Sequence, residues 1–219
     1  MFQFQAMIDA FHVLLIGLWM TLQMAVYALI IANIIGLITA LMKLARLKWM
    51  NFLANTYINL IRGTPLLVQV FFIYFAMPAI TGTKIEAWVA GLVALSLNAG
   101  AYISEIFRSG IQAVPKGQME AARSLGMTHG QAMRYIILPQ AFKIVIPPLL
   151  NQFIITLKDT SIISVIGFEE LTRKGQMQIA TTYRALEIWT EVAIFYFVLI
   201  FSLTLFTNWI ERKVNQDFK

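Results

Sequence analysis

Apolar positions in this chain come in long unbroken runs, not in the alternation or striping of a soluble fold. Residues 13–42 hold no charged side chain, and neither do 63–83, 87–104, 144–157 or 192–210. A bilayer core roughly 30 Å thick takes about 20 apolar residues of helix, and shorter runs serve when their ends reach the interfaces. The pattern predicts an all-α integral membrane protein. Five transmembrane helices are expected, over approximately 14–42, 60–80, 87–107, 141–158 and 189–210, in one domain filling 1–219. The fourth run is the shortest, which places Phe142 and Lys158 at the interfaces or in a cavity.

The loops between the runs assign the sides. One set carries Lys43, Arg46, Lys48, Arg108, Lys116, Arg123, Arg134, Lys143, Arg212, Lys213 and Lys219. The alternate set carries Lys84, Lys158, Arg173, Lys174 and Arg184 among Glu86, Asp159, Glu169, Glu170 and Glu187. Basic residues accumulate on the cytoplasmic side of short loops. The amino terminus is therefore expected outside and the carboxyl terminus inside. The largest cytoplasmic segment then runs over about 108–140 and the largest external one over about 158–187.

Composition changes the picture mainly by exclusion. Charged residues make up 13%, against about 25% in soluble domains, which leaves too little polar surface to cover a soluble fold. The net charge of +6 comes from the orienting loops and does not indicate a nucleic-acid partner. No cysteine is present, so disulfides and thiolate chemistry are excluded. A cleavable signal peptide is not expected, because no Lys or Arg precedes a first run too long for a signal. The phosphate-binding pattern G-x-x-x-x-G-K-[ST] is missing, as are H-E-x-x-H and G-x-S-x-G. The chain is accordingly expected to be no enzyme and to carry no cofactor or metal. Its two histidines, His12 and His129, fall on opposite sides of the membrane in this topology.

Two stretches carry chemistry. The first is Gln118 to Pro139, QMEAARSLGMTHGQAMRYIILP. Gly126 is placed to end a short helix in the left-handed conformation. Ala121 and Ala122 leave a low-profile face, and Met127, Met133 and Ile136 offer adaptable apolar contacts. Pro139 is expected to stop the second helical stretch. Spacing alone leaves two readings open, an ordinary amphipathic connector or a rigid element that transmits a partner's motion. The second stretch is Arg62-Gly63-Thr64-Pro65-Leu66, whose Gly and Pro break or bend a helix. Discontinuous helices often line transport cavities. Asn98, Tyr102 and Glu105 share one helix face by spacing. Ionisable groups at membrane depth usually mark pathways or internal pairs. Lys158 and Asp159 would suit the two ends of a zwitterion, or lie at the interface, and Glu105 is a candidate ion-pair partner of Arg62.

A resemblance narrows the choice. The pattern E-A-A-x3-G-x9-I-x-L-P, met at Glu120, Ala121, Ala122, Gly126, Ile136, Leu138 and Pro139, resembles the signature of bacterial ABC import permeases of MetI-like fold. There it forms the helix seated on the ATPase subunit. RGTPLLVQ, and Asn98-Ala99-Gly100-Ala101-Tyr102 with Glu105 and Arg108, are similar to polar amino-acid permeases of the histidine/glutamine type. Lys158-Asp159-Thr160-Ser161, ELTRKGQ at 170–176 and RALEIW at 184–189 look like bacterial glutamine permeases. The resemblance covers most of the chain and before Leu47 rests on hydropathy alone. It implies a permease subunit in the cytoplasmic (inner) membrane, paired with an identical or related permease. Two ATPase subunits would drive it, and an external binding protein would deliver an amino acid, glutamine first. Substrate-path residues would be Asn98, Thr64, Glu105, Lys158 and Asp159. The alternative is a secondary transporter or channel subunit for small polar solutes, but such transporters usually show inverted repeats, and none is visible here.

Overall fold

The computed structural model describes residues 4–45 and 47–216, with side chains through Lys213, so Arg46 and Lys219 of the charge count lie outside the described residues. Regular structure among the described residues is helical throughout. α1 (Phe4–Leu44) is followed by α2 (Lys48–Arg62) and α3 (Leu66–Thr81). α4 (Ala87–Ala113), the short α5 (Lys116–Ser124) and α6 (His129–Ile166) come next. α7 (Leu171–Thr182) and α8 (Ala185–Gln216) complete the order.

Four of these helices are long and apolar enough to cross a membrane, and five spans result if α2 and α3 count as one. Those two meet at 102°. The span expected over 60–80 therefore straddles a break, and its first half begins earlier, at Lys48. The cause is local. Pro65 has no N–H to donate and disfavours the helical region for Thr64, so its own backbone is extended at φ −63°, ψ 141°.

The core joins α1 to α4 through small side chains. Ala25, Ala28 and Ala32 on α1 and Ala90, Ala94 and Ala99 on α4 are buried. Small residues let membrane helices approach closely enough for backbone contact. A Cβ on Gly36 would sit 2.6 Å from Ile103 Cγ2, so glycine is required for this approach. Met24, Val70, Leu95 and Ile163 close the same cluster, joining α3 and the end of α6 to it.

Two expectations are corrected along α6. Pro139 does not stop a helix, because it lies inside a continuous run from His129 to Ile166. The preceding turn, Met133–Ile137, widens to π geometry, with the Leu138 N–H donating to the Met133 carbonyl. The wider turn absorbs the missing donor and the ring at Pro139. The external segment is also more than a loop. Glu170 is fully buried and caps α7 by accepting the Arg173 N–H at 2.8 Å. Tyr196 of α8 donates to its other oxygen at 2.9 Å, and Thr21 of α1 accepts the Leu171 N–H at 3.1 Å. α7 is thereby tied to both flanking helices.

Candidate translocation cavity and coupling element

The α2–α3 break, α4 and α6 line an open cavity of about 610 Å³. The break contributes Arg62 and Thr64. α4 contributes Asn98 and Tyr102, four residues apart on one face, and α6 contributes Gln152, Ile155 and Asp159, spaced three and four apart. Helical spacing thus aims two polar rows at one space.

Gln69 holds the break in shape. Its Nε2 lies 2.8 Å from the Ile61 carbonyl and 3.1 Å and 3.0 Å from the Thr64 carbonyl and hydroxyl. Its Oε1 accepts from Asn98 Nδ2 at 3.1 Å. Asn98 therefore both lines the cavity and anchors the bend. The Arg62 guanidinium lies over the Tyr102 ring, 5.1 Å from its centroid, a contact that holds a cation without neutralising it.

The predicted residues divide as follows. Thr64, Asn98 and Asp159 meet at the cavity. Lys158, the neighbour of Asp159 in sequence, is exposed and outside that lining, because successive helical residues point about 100° apart. Of the Lys158–Asp159 pair only Asp159 lines the cavity, where Arg62 is the other charged side chain. The Arg62–Glu105 ion pair is also corrected. Glu105 instead bonds Lys43 Nζ and Arg108 Nη2, both at 2.6 Å, near the far end of α4. Tethered between α1 and its own helix, it stands outside the cavity lining. Gln69 and Gln152 were missed as site residues. Their signal was available, since each is an amide inside a charge-free run.

The second site is the α5 hairpin. α5 ends in two bonds, Met127 N–H to Ala122 carbonyl at 3.2 Å and Gly126 N–H to Arg123 carbonyl at 3.0 Å. That pair defines a Schellman cap, which needs a left-handed residue, and Gly126 supplies it at φ +84°. Thr128 and Gln131 then form a reciprocal capping box that starts α6. Glu120, Ala121, Leu138 and Pro139 are exposed and Ile136 is half-buried. Ala122, at 4% exposure, faces inward, and Met133 and Ile136 pack with Val114, Ile137 and Ala141. The low-profile outer face expected of both alanines is thus Ala121 alone. The apolar side chains mainly fasten the hairpin to the bases of α4 and α6.

A bundle of membrane-crossing helices around a polar cavity, with a rigid hairpin fastened to its base, defines a membrane transport component. Comparison with known proteins gives the family. Residues 32–216 match the family described as the binding-protein-dependent transport system inner membrane component, and the chain belongs to it. The fold is that of the MetI-like ABC import permeases. The family is the membrane-embedded component of such importers and not the ATPase. The glutamine transport system permease protein GlnP of Escherichia coli is 42% identical over 214 residues, covering 97% of this chain and 98% of that protein. The arginine transport system permease protein ArtQ of Bacillus subtilis is 38% identical over 214 residues, covering 98% of each. Among solved structures, an amino-acid ABC transporter crystallised with histidines superposes with a TM-score of 0.94 at 45% identity, covering 97% of this chain and 99% of that one.

Proposed function

We propose that this chain carries a polar amino acid, glutamine in the first instance, through the cavity between the α2–α3 break, α4 and α6. One observation carries the reading: a cation and a carboxylate, Arg62 and Asp159, line one membrane-depth cavity together with the Asn98 amide. A zwitterion needs an acceptor for its ammonium and a donor for its carboxylate. Asp159 takes the first role and Arg62 the second, with the guanidinium fork suited to a carboxylate. Asn98 and the adjacent Gln69 form an amide pair beside the substrate's own side chain. The kinship with glutamine and arginine permeases supports the amino-acid class.

In this reading the permease works with a second copy or a close paralogue, on a dimer of ATPase subunits in the cytoplasm. An external binding protein delivers the amino acid. The amino terminus lies outside and the carboxyl terminus inside. Closure of the ATPase dimer pulls the α5 hairpins of the two permeases together. Because Glu120, Ala121, Gly126, Leu138 and Pro139 are exposed while Met119 and Ile136 pack with Val114, Ile137 and Ala141 at the bases of α4 and α6, that motion passes into the helices that wall the cavity.

The test is uptake of labelled glutamine by the complete transporter in proteoliposomes. Asp159→Asn should cut uptake at least tenfold while yield of the detergent-extracted complex and basal ATP hydrolysis persist. Uptake at the parental rate would remove Asp159, and with it the zwitterion site, from this cavity.

A further inference from the structure

α2 has three faces. Ala54, Ile58 and Ile61 are buried against the bundle, while Trp49, Leu53 and Leu60 form an exposed apolar face. Between them runs a third face of Lys48, Asn51, Asn55, Asn59 and Arg62, spaced three or four apart so that all lie on one side of the helix. Asn55 Nδ2 donates to Asn51 Oδ1 at 2.5 Å, and Asn51 Nδ2 donates to the Lys43 carbonyl at 2.8 Å. An open space of about 410 Å³ lies along this face, lined by Lys48, Asn51, Asn55, Thr56 and Asn59, with Phe52 at its edge.

An amide facing hydrocarbon is costly, so polar groups at this depth face protein or a water-filled space. The face leads toward the Arg62–Asp159 cavity, because Arg62 lines that cavity and Asn59 stands about one turn before Arg62 on the same helix. At 1.5 Å per residue α2 covers roughly 22 Å, about the distance from mid-bilayer to the headgroups. Between Arg62 and Lys48 the face carries no fixed charge. It offers successive amide donors and acceptors, a series of weak sites that a zwitterion occupies and leaves, as conduction requires.

We propose that the Asn59–Asn55–Asn51 face of α2 is the inner half of the amino-acid path, running from the Arg62–Asp159 cavity to the cytoplasm. The proposal rests on that cavity being the substrate site. The chain contains no cysteine, so single cysteines can be placed on a clean background in the complete transporter. The probe is the membrane-impermeant methanethiosulfonate ethyltrimethylammonium, applied to inside-out vesicles. Cysteines at Asn55 and Asn59 should react at least tenfold faster than cysteines at Leu53 and Leu60, and vanadate trapping should slow them several-fold. Asn55→Asp should cut glutamine uptake about tenfold, and Asn55→Gln should restore most of it. Equal reactivity on both faces would overturn the proposal. So would copper-phenanthroline cross-linking of Asn55→Cys between two copies, which would make the face a permease–permease contact. Asp159→Asn in the same vesicles separates the two claims. If it blocks uptake while the α2 cysteines stay unreactive, only the path falls.

Discussion

At the scale of single residues, the residue types at Gly126 and Asn98 made both legible, while the partner that Asn98 holds was not. Gly126 is needed for its backbone alone. A Cβ there would meet nothing within 4 Å, yet φ is +84°. A left-handed non-glycine residue costs about 1–2 kcal/mol, and a β-branched one is the worst case. Gly126→Val should therefore shift the hairpin without unfolding the bundle. Uptake should fall at least tenfold and stimulation of ATP hydrolysis by loaded binding protein should vanish, while membrane insertion, read by extracted yield, persists. Asn98 was legible as a polar side chain in an apolar run. Its bond to Gln69 was not, because the partner lies 29 residues away across the break. Asn98→Leu leaves the buried Gln69 oxygen without its donor, at a cost of about 1–3 kcal/mol. Uptake should drop at least tenfold, and the thermal midpoint of the extracted complex should fall by a few degrees. An unchanged midpoint would detach Asn98 from the bend.

At the scale of elements, hydropathy runs report where a helix can sit in a bilayer and say little about its direction. That is why the break at Gly63-Thr64-Pro65 was visible while the 102° turn and the start at Lys48 were not. α2 is charge-free only over residues 49–61 and is interrupted by Asn51, Asn55 and Asn59, so a search for charge-free runs long enough to span passes over it. Pro139 misled for a related reason. The π turn at Met133–Ile137 accommodates the Pro139 ring, and α6 also runs on through Pro147 and Pro148. The tie between α7, α1 and α8 at Glu170 also depends on contacts about 150 residues apart, beyond any local pattern. Burial pushes the Glu170 carboxyl up, against the pull of the bonds from the Thr172 and Arg173 N–H groups and Tyr196. A carboxyl raised in the native state holds its proton more tightly there than when unfolded. Stability contributed by Glu170 therefore rises as pH falls from the raised value toward the ordinary one. Glu170→Gln, which cannot ionise, should remove that component. The parental complex should gain more in thermal midpoint than the variant as pH falls from neutrality into the ordinary carboxylate range. Equal gains would show that Glu170 does not titrate in that window. Glu170→Ala, which loses the cap as well, should destabilise by about 0.5–2 kcal/mol.

At the scale of the whole molecule, the fold has one direction built into it. The exposed α5 hairpin and the Lys43–Glu105–Arg108 cluster lie toward one end, and Glu170 with α7 lies toward the other, beyond the outer ends of α4 and α6. Of the eleven basic residues that the sequence assigns to the first end, nine are described, against five at the second. On the proposed orientation, the positive-inside bias would make the first end cytoplasmic, the side from which an ATPase would reach Glu120 and Ala121. Orientation and coupling thus stand or fall together. Gln118 is exposed on α5 and Thr181 is exposed near the end of α7. Thr172 would be a poorer reporter, since it is half-buried and its hydroxyl lies 3.1 Å from that of Tyr196. On the cysteine-free background, Gln118→Cys should react with an impermeant maleimide only in inside-out vesicles. Thr181→Cys should react only in right-side-out cells. If both cysteines label from one side, the two ends are not separated by the membrane, and α5 cannot be the element that an ATPase moves. If each labels from the side opposite to the one expected, the bundle is inverted, and the external binding protein would meet the α5 hairpin instead of α7.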